Sequence, residues 1–339
     1  MSLVGCGRSV LLALGLVGLV ACGGGSGDGP PVTVTVPSGA SLGQVADSLS
    51  ARGVIGARRA FVLFARIRGD DTRVKSGVYD LPRGASWGRV LDLLTAGRVS
   101  TVAMTIPEGF RLAQIAPRIA EVTETTPDSV EALLRAASAD TFGVPGPGLE
   151  GYLFPDTYRF APGISPSSVV GTLVERHRAF WTPERRARLD SLDMTQQELV
   201  TLASIVQAEA RMIDEMPTIS SVYHNRLRDG WLLQADPTVL YALGGPRPRL
   251  LFAAIDSVQD SPYNTYTQPG LPPGPIGSPG AAALLAALYP APEDFYYFVA
   301  RPDGSHVFTR TLAEHNRAVA DARRARDSVA RNGGGPDTP

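Results

Sequence analysis

Cysteine is nearly absent from this chain of 339 residues, and its two cysteines, Cys6 and Cys22, both lie close to the N-terminus. The remainder of the chain therefore offers neither an internal disulfide nor a cysteine-ligated zinc site. Its four histidines are scattered along the sequence, without an HExxH or similar spacing. We expect no bound metal and no cofactor.

Lysine is equally scarce, since Lys75 is the only one, and no long run of like charge occurs. The formal net charge is −1. A nucleic-acid-binding protein needs a basic patch, so this composition argues against a nucleic-acid partner. Apolar residues make up 44% of the chain, which is ordinary for a globular protein, and the length is sufficient for two domains.

Long apolar runs are also missing, apart from residues 10–21, which follow Arg8. This run is shorter than the roughly 20 residues of a membrane-spanning helix but has the length of a signal-peptide core. It ends in Leu19-Val20-Ala21-Cys22, which resembles the lipobox of bacterial lipoproteins, where the cysteine is acylated. We predict a signal peptide and anchor over residues 1–22, with Cys22 as the lipidation site, and a flexible glycine-rich tether over residues 23–31.

A soluble secreted protein and a short uncleaved anchor are the alternatives for this N-terminus. All three interpretations of the N-terminus, the lipoprotein anchor included, place the folded body outside the cytoplasm. Two β-turn-α patterns then follow, with alternating strands at residues 32–36 and 77–81 and with Ser86 as the cap of the second helix. We interpret residues 32–100 as a small lysin-motif-like β-α domain, which either binds glycan or only positions the next domain.

A short strand at residues 101–105 begins the second predicted domain. Apolar residues recur after it at helical spacing, at Leu112, Ile115 and Ile119. We predict a larger mixed α+β catalytic domain over residues 101–331 and a disordered tail over residues 332–339. The fold class is therefore α+β.

One predicted helix carries the most informative carboxyl group. Thr195 and Glu198 form a capping box, and an apolar stripe runs on from Leu199. At 100° per residue Glu209 falls beside Leu202, at the edge of the stripe. Partial loss of hydration raises the pKa of such a carboxyl toward the range of a general acid. A surface glutamate in an ordinary salt bridge is the alternative for this helix taken alone.

Neutral polar and aromatic residues concentrate after this helix. They lie around Asn225, around Gln234 and Asp236, and around Tyr263 and Asn264, ahead of a loop rich in glycine and proline. Amides, hydroxyls and aromatic faces suit a neutral ligand rich in hydroxyl groups, so carbohydrate is the predicted substrate class. A structural turn with buried tyrosines is the alternative for the loop.

Together these motifs resemble the YceG-like family of endolytic murein transglycosylases. The matching segments, in the family's order, are Ile106-Pro107-Glu108-Gly109, Leu149-Glu150-Gly151-Tyr152-Leu153-Phe154-Pro155-Asp156-Thr157-Tyr158, Leu202-Ala203-Ser204-Ile205-Val206-Gln207-Ala208-Glu209, Asn225-Arg226-Leu227, Leu233-Gln234-Ala235-Asp236-Pro237-Thr238, Ser261-Pro262-Tyr263-Asn264-Thr265-Tyr266, Gly304-Ser305-His306 and Glu314-His315-Asn316.

The resemblance implies that Glu209 is the catalytic glutamate. Many family members carry a second glutamate where this chain has Gln207, a departure that leaves Glu209 as the single acid/base. Candidate substrate-binding residues are Gln234, Asn264, Tyr263, Asn225, Glu150 and Asp236. The expected reaction is endolytic cleavage of the MurNAc–GlcNAc bond of nascent peptidoglycan strands, with a 1,6-anhydro end on the product and an end to strand elongation.

The resemblance also implies a place on the outer face of the cytoplasmic membrane, close to peptidoglycan synthases, although the lipobox is compatible with the outer membrane too. Two other functions stay open on the sequence. One is a muramidase in which Glu209 is the acid and Glu150 or Asp236 the base. The other is a non-catalytic peptidoglycan-binding lipoprotein, although a pure binder gains nothing from a partly desolvated acid.

Overall fold

The computed structural model describes residues 30–37, 39–97, 100–245, 247 and 250–333. The chain divides into two compact units between Thr101 and Val102. Each unit has a hydrophobic core of its own. The predicted signal peptide, the lipidation site Cys22 and most of the predicted tether lie outside the described residues.

The first unit contains two strands and three helices. In chain order these are β1 (Pro31–Val36), α1 (Leu42–Ala51), α2 (Arg58–Arg68), β2 (Gly77–Pro82) and α3 (Trp87–Ala96). β1 and β2 pair antiparallel, with Val34 opposite Tyr79, and both of these side chains are buried. Ser86 caps α3 as predicted. Helix α2 has no counterpart in the order predicted from the sequence.

The second unit is mainly helical. Its elements are β3 (Val102–Thr105), α4 (Leu112–Thr123), α5 (Pro127–Ala136), α6 (Ala139–Phe142), β4 (Thr157–Phe160), α7 (Pro166–Phe180), α8 (Pro183–Ser191), α9 (Gln196–Glu209), a 3₁₀ turn (Ile213–Glu215), α10 (Met216–Arg228), α11 (Asp236–Ala242), α12 (Phe252–Asp256), α13 (Ala281–Leu288), β5 (Tyr297–Ala300), β6 (His306–Thr309) and α14 (Leu312–Gly333). Helix α14 continues two residues into the predicted tail, and residues 334–339 lie outside the described part.

The strands of the described residues pair antiparallel in two-stranded sheets, β1 with β2, β3 with β4 and β5 with β6. Helices and strands follow no regular β-α-β alternation, so the predicted α+β class is confirmed. No helix within the described ranges has both the length and the apolar character needed to span a membrane.

Helix α9 lies at the centre of the second unit. It begins at the predicted capping box of Thr195 and Glu198 and is buried without interruption from Leu199 to Val206. The prediction of a one-sided apolar stripe was wrong, because α10, α11 and α13 pack around the helix. Such a helix is held on several sides, so the residue at its C-terminal end, Glu209, has a fixed place in the unit.

The loop rich in glycine and proline is fastened to α9 by polar side chains. The Ser204 hydroxyl accepts a hydrogen bond from the Ile276 N–H at 3.0 Å. The Gln207 side-chain oxygen accepts one from the Gly280 N–H at 3.0 Å. Gln207 therefore has a structural role, since its side chain holds the loop against α9.

The same loop interlocks with the segment ahead of α4. The Gly109 N–H donates to the Ser278 carbonyl at 2.7 Å, and the Ser278 N–H donates to the Phe110 carbonyl at 2.8 Å. A Cβ atom on Gly277 would lie only 2.7 Å from the Gly109 carbonyl oxygen. The backbones at Gly277 and Gly109 are in direct contact and leave no room for a side chain, which explains why glycine occupies position 277.

We predict that Ser204→Ala destabilises the protein, because it leaves the buried Ile276 N–H without its acceptor. The loss should be about 1–3 kcal/mol in the free energy of unfolding, measured by urea denaturation. The matched control is Ser257→Ala, which removes an exposed hydroxyl and should change stability by less than about 0.5 kcal/mol. Equal effects of the two variants would contradict the anchoring role of Ser204.

Candidate active site

Glu209 ends α9 with its side chain half-buried. The Tyr223 hydroxyl, on α10, donates a hydrogen bond to its Oε1 at 2.9 Å. Burial raises the pKa of Glu209 to about 7, opposed by the Tyr223 hydrogen bond and the charge of Arg226 and reinforced by the charge of Asp236. The carboxyl is thus divided between its two protonation states near neutral pH, as an acid that must also act as a base requires.

A cavity of about 400 Å³ opens in front of this carboxyl. Its walls come from α9, α10, α11, the β5–β6 hairpin and the start of α14. The lining residues are Glu209, Tyr223, Arg226, Gln234, Asp236, Tyr266, Tyr297, Phe298, Val299, Ala300, His306, Leu312 and His315. Polar and aromatic groups therefore surround one half-buried acid, an arrangement suited to a hydroxyl-rich ligand.

Asp236 is the second carboxylate of this cavity. It is exposed at the start of α11 and accepts a hydrogen bond from the Tyr266 hydroxyl. Its charge is near enough to disfavour ionisation of Glu209, which raises the Glu209 pKa. The structure therefore brings together Glu209 and Asp236, two of the carboxylates singled out from the sequence.

Gln234 also lines the cavity, in a strained backbone conformation. Its φ angle is +48°, in the left-handed region that residues other than glycine seldom adopt. The conformation is held by hydrogen bonds from the Gln234 N–H to the Thr265 carbonyl at 3.0 Å and from the Ala235 N–H to the Thr265 hydroxyl at 2.9 Å. Strain of this kind concentrates at functional sites, where it aims a side chain.

Asn264 and Asn225 do not reach the cavity. Asn264 is fully buried, and its amide donates to the carbonyls of Ile255 and Val258 at 3.0 and 3.2 Å. Asn225 is nearly as buried, and its amide donates to two backbone carbonyls of the segment ahead of β5, each at 2.9 Å. Both amide groups brace loops in this structure, and the substrate-binding roles expected of Asn225 and Asn264 stay predictions.

Glu150 and Tyr263 belong to a different cluster, which does not line the cavity. The Leu112 N–H, at the start of α4, donates to Glu150 Oε1 at 3.2 Å, and the ring of Tyr241 lies 4.8 Å from that of Tyr263. Burial raises the pKa of Glu150 to about 7, opposed by hydrogen bonds and by the charge of Arg111. The Glu150 carboxyl therefore caps the start of α4 and does not line the cavity with Glu209.

Arg226 and two histidines are cavity residues that the sequence reasoning missed. The Arg226 Nε and Nη1 atoms donate to the carbonyls of Tyr296 at 2.8 Å and Leu233 at 2.6 Å, so backbone contacts fix its guanidinium. The His306 Nδ1 atom lies 2.7 Å from the Glu215 carboxylate. All three residues stand in motifs quoted for the family resemblance, which was the one signal in the sequence that pointed to them.

The His315 ring stacks on that of Tyr297, with 5.2 Å between the centroids. Burial, with the charge of Arg226, lowers the pKa of His315. Among the described residues, no three His, Cys, Asp or Glu side chains are grouped closely enough to hold a metal ion.

The profile of the YceG-like family matches residues 34–321, which is most of the chain. The chain belongs to the YceG-like family.

Relatives of the YceG-like family agree with this assignment. The chain is 34% identical over 305 residues to an endolytic murein transglycosylase of Bacillus subtilis, an alignment that covers 85% of this chain and 83% of that protein. It is 29% identical over 321 residues to an endolytic murein transglycosylase of Streptococcus pneumoniae, covering 86% of this chain but only 58% of the longer relative.

A solved structure of a YceG-like protein from Listeria monocytogenes is also similar. It is 30% identical, matches with a TM-score of 0.59, and covers 85% of this chain and 98% of its own. The similarity of the two structures extends over most of both chains.

The raised pKa of Glu209 has a consequence for stability. Protonation is favoured in the folded protein, so the stability that this group contributes is fully present below its ordinary pKa of 4.5 and is lost as the pH rises through about 7. We predict that Glu209→Gln, which is neutral at every pH, raises the free energy of unfolding by roughly 1–3 kcal/mol at pH 8 and by much less at pH 4.

Urea denaturation at the two pH values measures this difference. The control is Glu121→Gln, at an exposed position on α4, which should have an effect smaller than about 0.5 kcal/mol at both. A Glu209→Gln effect that is the same at pH 4 and pH 8 would show that the carboxyl does not titrate with a raised pKa.

Proposed function

We propose that this YceG-like protein is a peptidoglycan lytic transglycosylase in which Glu209 is the single acid and base. The observation that carries the proposal is one half-buried carboxyl, with a pKa of about 7, that opens into a cavity lined by polar and aromatic groups. The names of its relatives in Bacillus subtilis and Streptococcus pneumoniae, both endolytic murein transglycosylases, support the same reaction class.

The proposed reaction uses the two protonation states of Glu209 in turn. The protonated carboxyl gives its proton to the oxygen that leaves C1 of N-acetylmuramic acid, and the C1–O bond breaks. The positive charge that develops at C1 is stabilised by the substrate's own acetamido group. The Glu209 carboxylate then removes the proton of the C6 hydroxyl, whose oxygen bonds to C1 and closes a 1,6-anhydro ring, so the acid is regenerated.

Neighbouring side chains would assist without joining the proton transfer. The Tyr223 hydroxyl holds Glu209 in one orientation. We propose that the Gln234 amide, presented by its left-handed backbone at the cavity wall, donates to the substrate near the reacting sugar. Endolytic cleavage of nascent strands at this site would end their elongation.

A hydrolase is the second candidate, and the position of Asp236 is the observation that favours it. Asp236 shares the cavity with Glu209 and is exposed, so it could activate a water molecule as the base of a muramidase. The Tyr266 hydroxyl already occupies one of its oxygen atoms. Glu150 is a weaker candidate for this base, because it does not line the cavity.

We further propose that the protein is held at the outer face of a membrane by an acylated Cys22, close to peptidoglycan synthases. The lipobox-like residues 19–22 and the glycine-rich residues after them support an anchor and a tether. The first unit, with its own core and its repeated β-turn-α order, is proposed as a lysin-motif-like module for the same glycan.

The reaction is tested by mass spectrometry of fragments released from purified peptidoglycan. We expect anhydro-muramyl ends from the unmodified protein, with a loss of about 10²–10⁴-fold in rate for Glu209→Gln. The matched control is Glu150→Gln, which changes a carboxyl with a similarly raised pKa outside the cavity and should keep most of the activity. Reducing ends, lost in Asp236→Asn, would instead establish the hydrolase.

The pH dependence of cleavage tests the role of Tyr223. Its hydrogen bond favours the ionised form of Glu209 and so lowers the Glu209 pKa. In Tyr223→Phe the pKa should rise, and the alkaline limb of the rate profile should move up by roughly one pH unit. Tyr289→Phe, at an exposed tyrosine outside the cavity, is the control and should leave the profile in place. A downward shift in Tyr223→Phe would refute this role.

A further inference from the structure

Helix α2 of the first unit has two apolar faces, although only one of them packs against the core. Phe61 and Ala65 are fully buried. Leu63 and Ile67 point to the opposite side and are 60% and 76% exposed. Because they are four residues apart, their side chains lie next to each other on the helix surface. This leaves a contiguous apolar patch in contact with water.

Unpaired arginines flank this patch. Helix α2 contains four arginines and no acidic residue. Arg58 pairs with Asp47, and Arg68 pairs with Asp70 and Asp92.

The other two arginines, Arg59 and Arg66, make no ion pair or side-chain hydrogen bond within the described part of the chain, and both are exposed. Advancing 100° per residue puts them beside Leu63. We call Arg59, Leu63, Arg66 and Ile67 the outer face of α2.

The chemistry of this face matches a lipid surface that carries negative charge. Helices that lie in a membrane interface combine large apolar side chains with arginine or lysine, and the cations gain from anionic headgroups. Glycan offers no apolar layer for Leu63 and Ile67 to enter. Charge complementarity and the pair of adjacent apolar side chains therefore favour a bilayer as the occupant.

The N-terminal sequence puts this unit within reach of a bilayer. Seven residues lie between Cys22 and Pro30, where the described structure begins. Even fully extended, the chain from Cys22 to Pro30 spans at most about 28 Å. An acyl chain on Cys22 would thus hold the first unit next to the lipid headgroups. Even a weak contact between this unit and the headgroups could then form repeatedly.

We propose that the outer face of α2 binds an anionic phospholipid surface, with Leu63 and Ile67 in the headgroup layer and Arg59 and Arg66 on lipid phosphates. This contact adds a second, reversible attachment to the N-terminal anchor and fixes how the first unit faces the membrane. It rests on the proposed anchor and is independent of the cleavage reaction.

The test uses a chain that begins at Pro30, which retains both hydrophobic cores. Its partition is measured by co-sedimentation with vesicles of phosphatidylcholine alone or with phosphatidylglycerol added. We expect binding to the anionic vesicles only, weakened by salt. The partition onto anionic vesicles should fall roughly fivefold in Arg59→Gln and roughly fivefold in Arg66→Gln. In the double variant Leu63→Ser with Ile67→Ser it should fall at least about tenfold.

The matched control is Phe252→Ser, which removes an apolar side chain that is 84% exposed in the second unit. It should bind like the unmodified chain. No binding to anionic vesicles, equal binding to neutral ones, or an equal loss in Phe252→Ser would overturn the proposal. A loss of peptidoglycan binding in the α2 variants, without vesicle binding by the unmodified chain, would assign the face to glycan instead.

A second readout reports which face of the protein enters the lipid layer. The chain from Pro30 onward contains no cysteine, so Leu63→Cys gives a single site for an environment-sensitive fluorophore. Its emission should shift to shorter wavelength on addition of anionic vesicles, whereas the same label in Phe252→Cys should not respond. Equal responses of the two labelled chains would count against the outer face of α2.

Discussion

Removal of one carboxyl group from water is the interaction on which the site in the second unit depends. Burial favours the neutral form of Glu209 and raises its pKa to about 7. Its hydrogen-bonding partner is the neutral hydroxyl of Tyr223, which orients the group without imposing a full countercharge. A cation in the same position would hold the carboxyl ionised and leave it no proton to donate.

The surrounding fold holds the Glu209 carboxyl in place through packing and neutral hydrogen bonds. These contacts depend little on whether the carboxyl is ionised. Helix α9 is packed on several sides, so Glu209 stands at the end of a rigid element. Ser204 and Gln207 tie the glycine-rich loop to the helix, and the backbone of that loop interlocks with the segment at Gly109. Rigid support of this kind is what positions a catalytic group within a small tolerance.

Two carboxyl groups with similarly raised pKa values have different surroundings. Glu209 opens into a cavity together with Asp236 and Tyr266, whereas Glu150 caps the start of α4 beside Tyr241. A raised pKa by itself reports only the loss of hydration, which structural carboxyls share with catalytic ones. Access to a ligand-sized space separates the two, and this is the reason for proposing Glu209 as the acid and base.

The sequence alone determined the features that depend on near neighbours along the chain. The strand alternation of β1, the cap at Ser86 and the capping box before α9 follow from short-range hydrogen bonds and periodicity. The family motifs added Arg226 and the two cavity histidines without giving them a role.

Only the tertiary structure decided which polar side chains face the cavity. Tyr223 meets Glu209 across 14 residues of sequence, and the amide of Asn225 meets carbonyls 68 and 70 residues away. The sequence pattern made Asn225 and Asn264 as plausible for ligand binding as Gln234. Which amides are consumed by backbone carbonyls and which stay free depends on how distant segments pack, because a hydrogen-bonding group is satisfied by whatever the fold brings within reach.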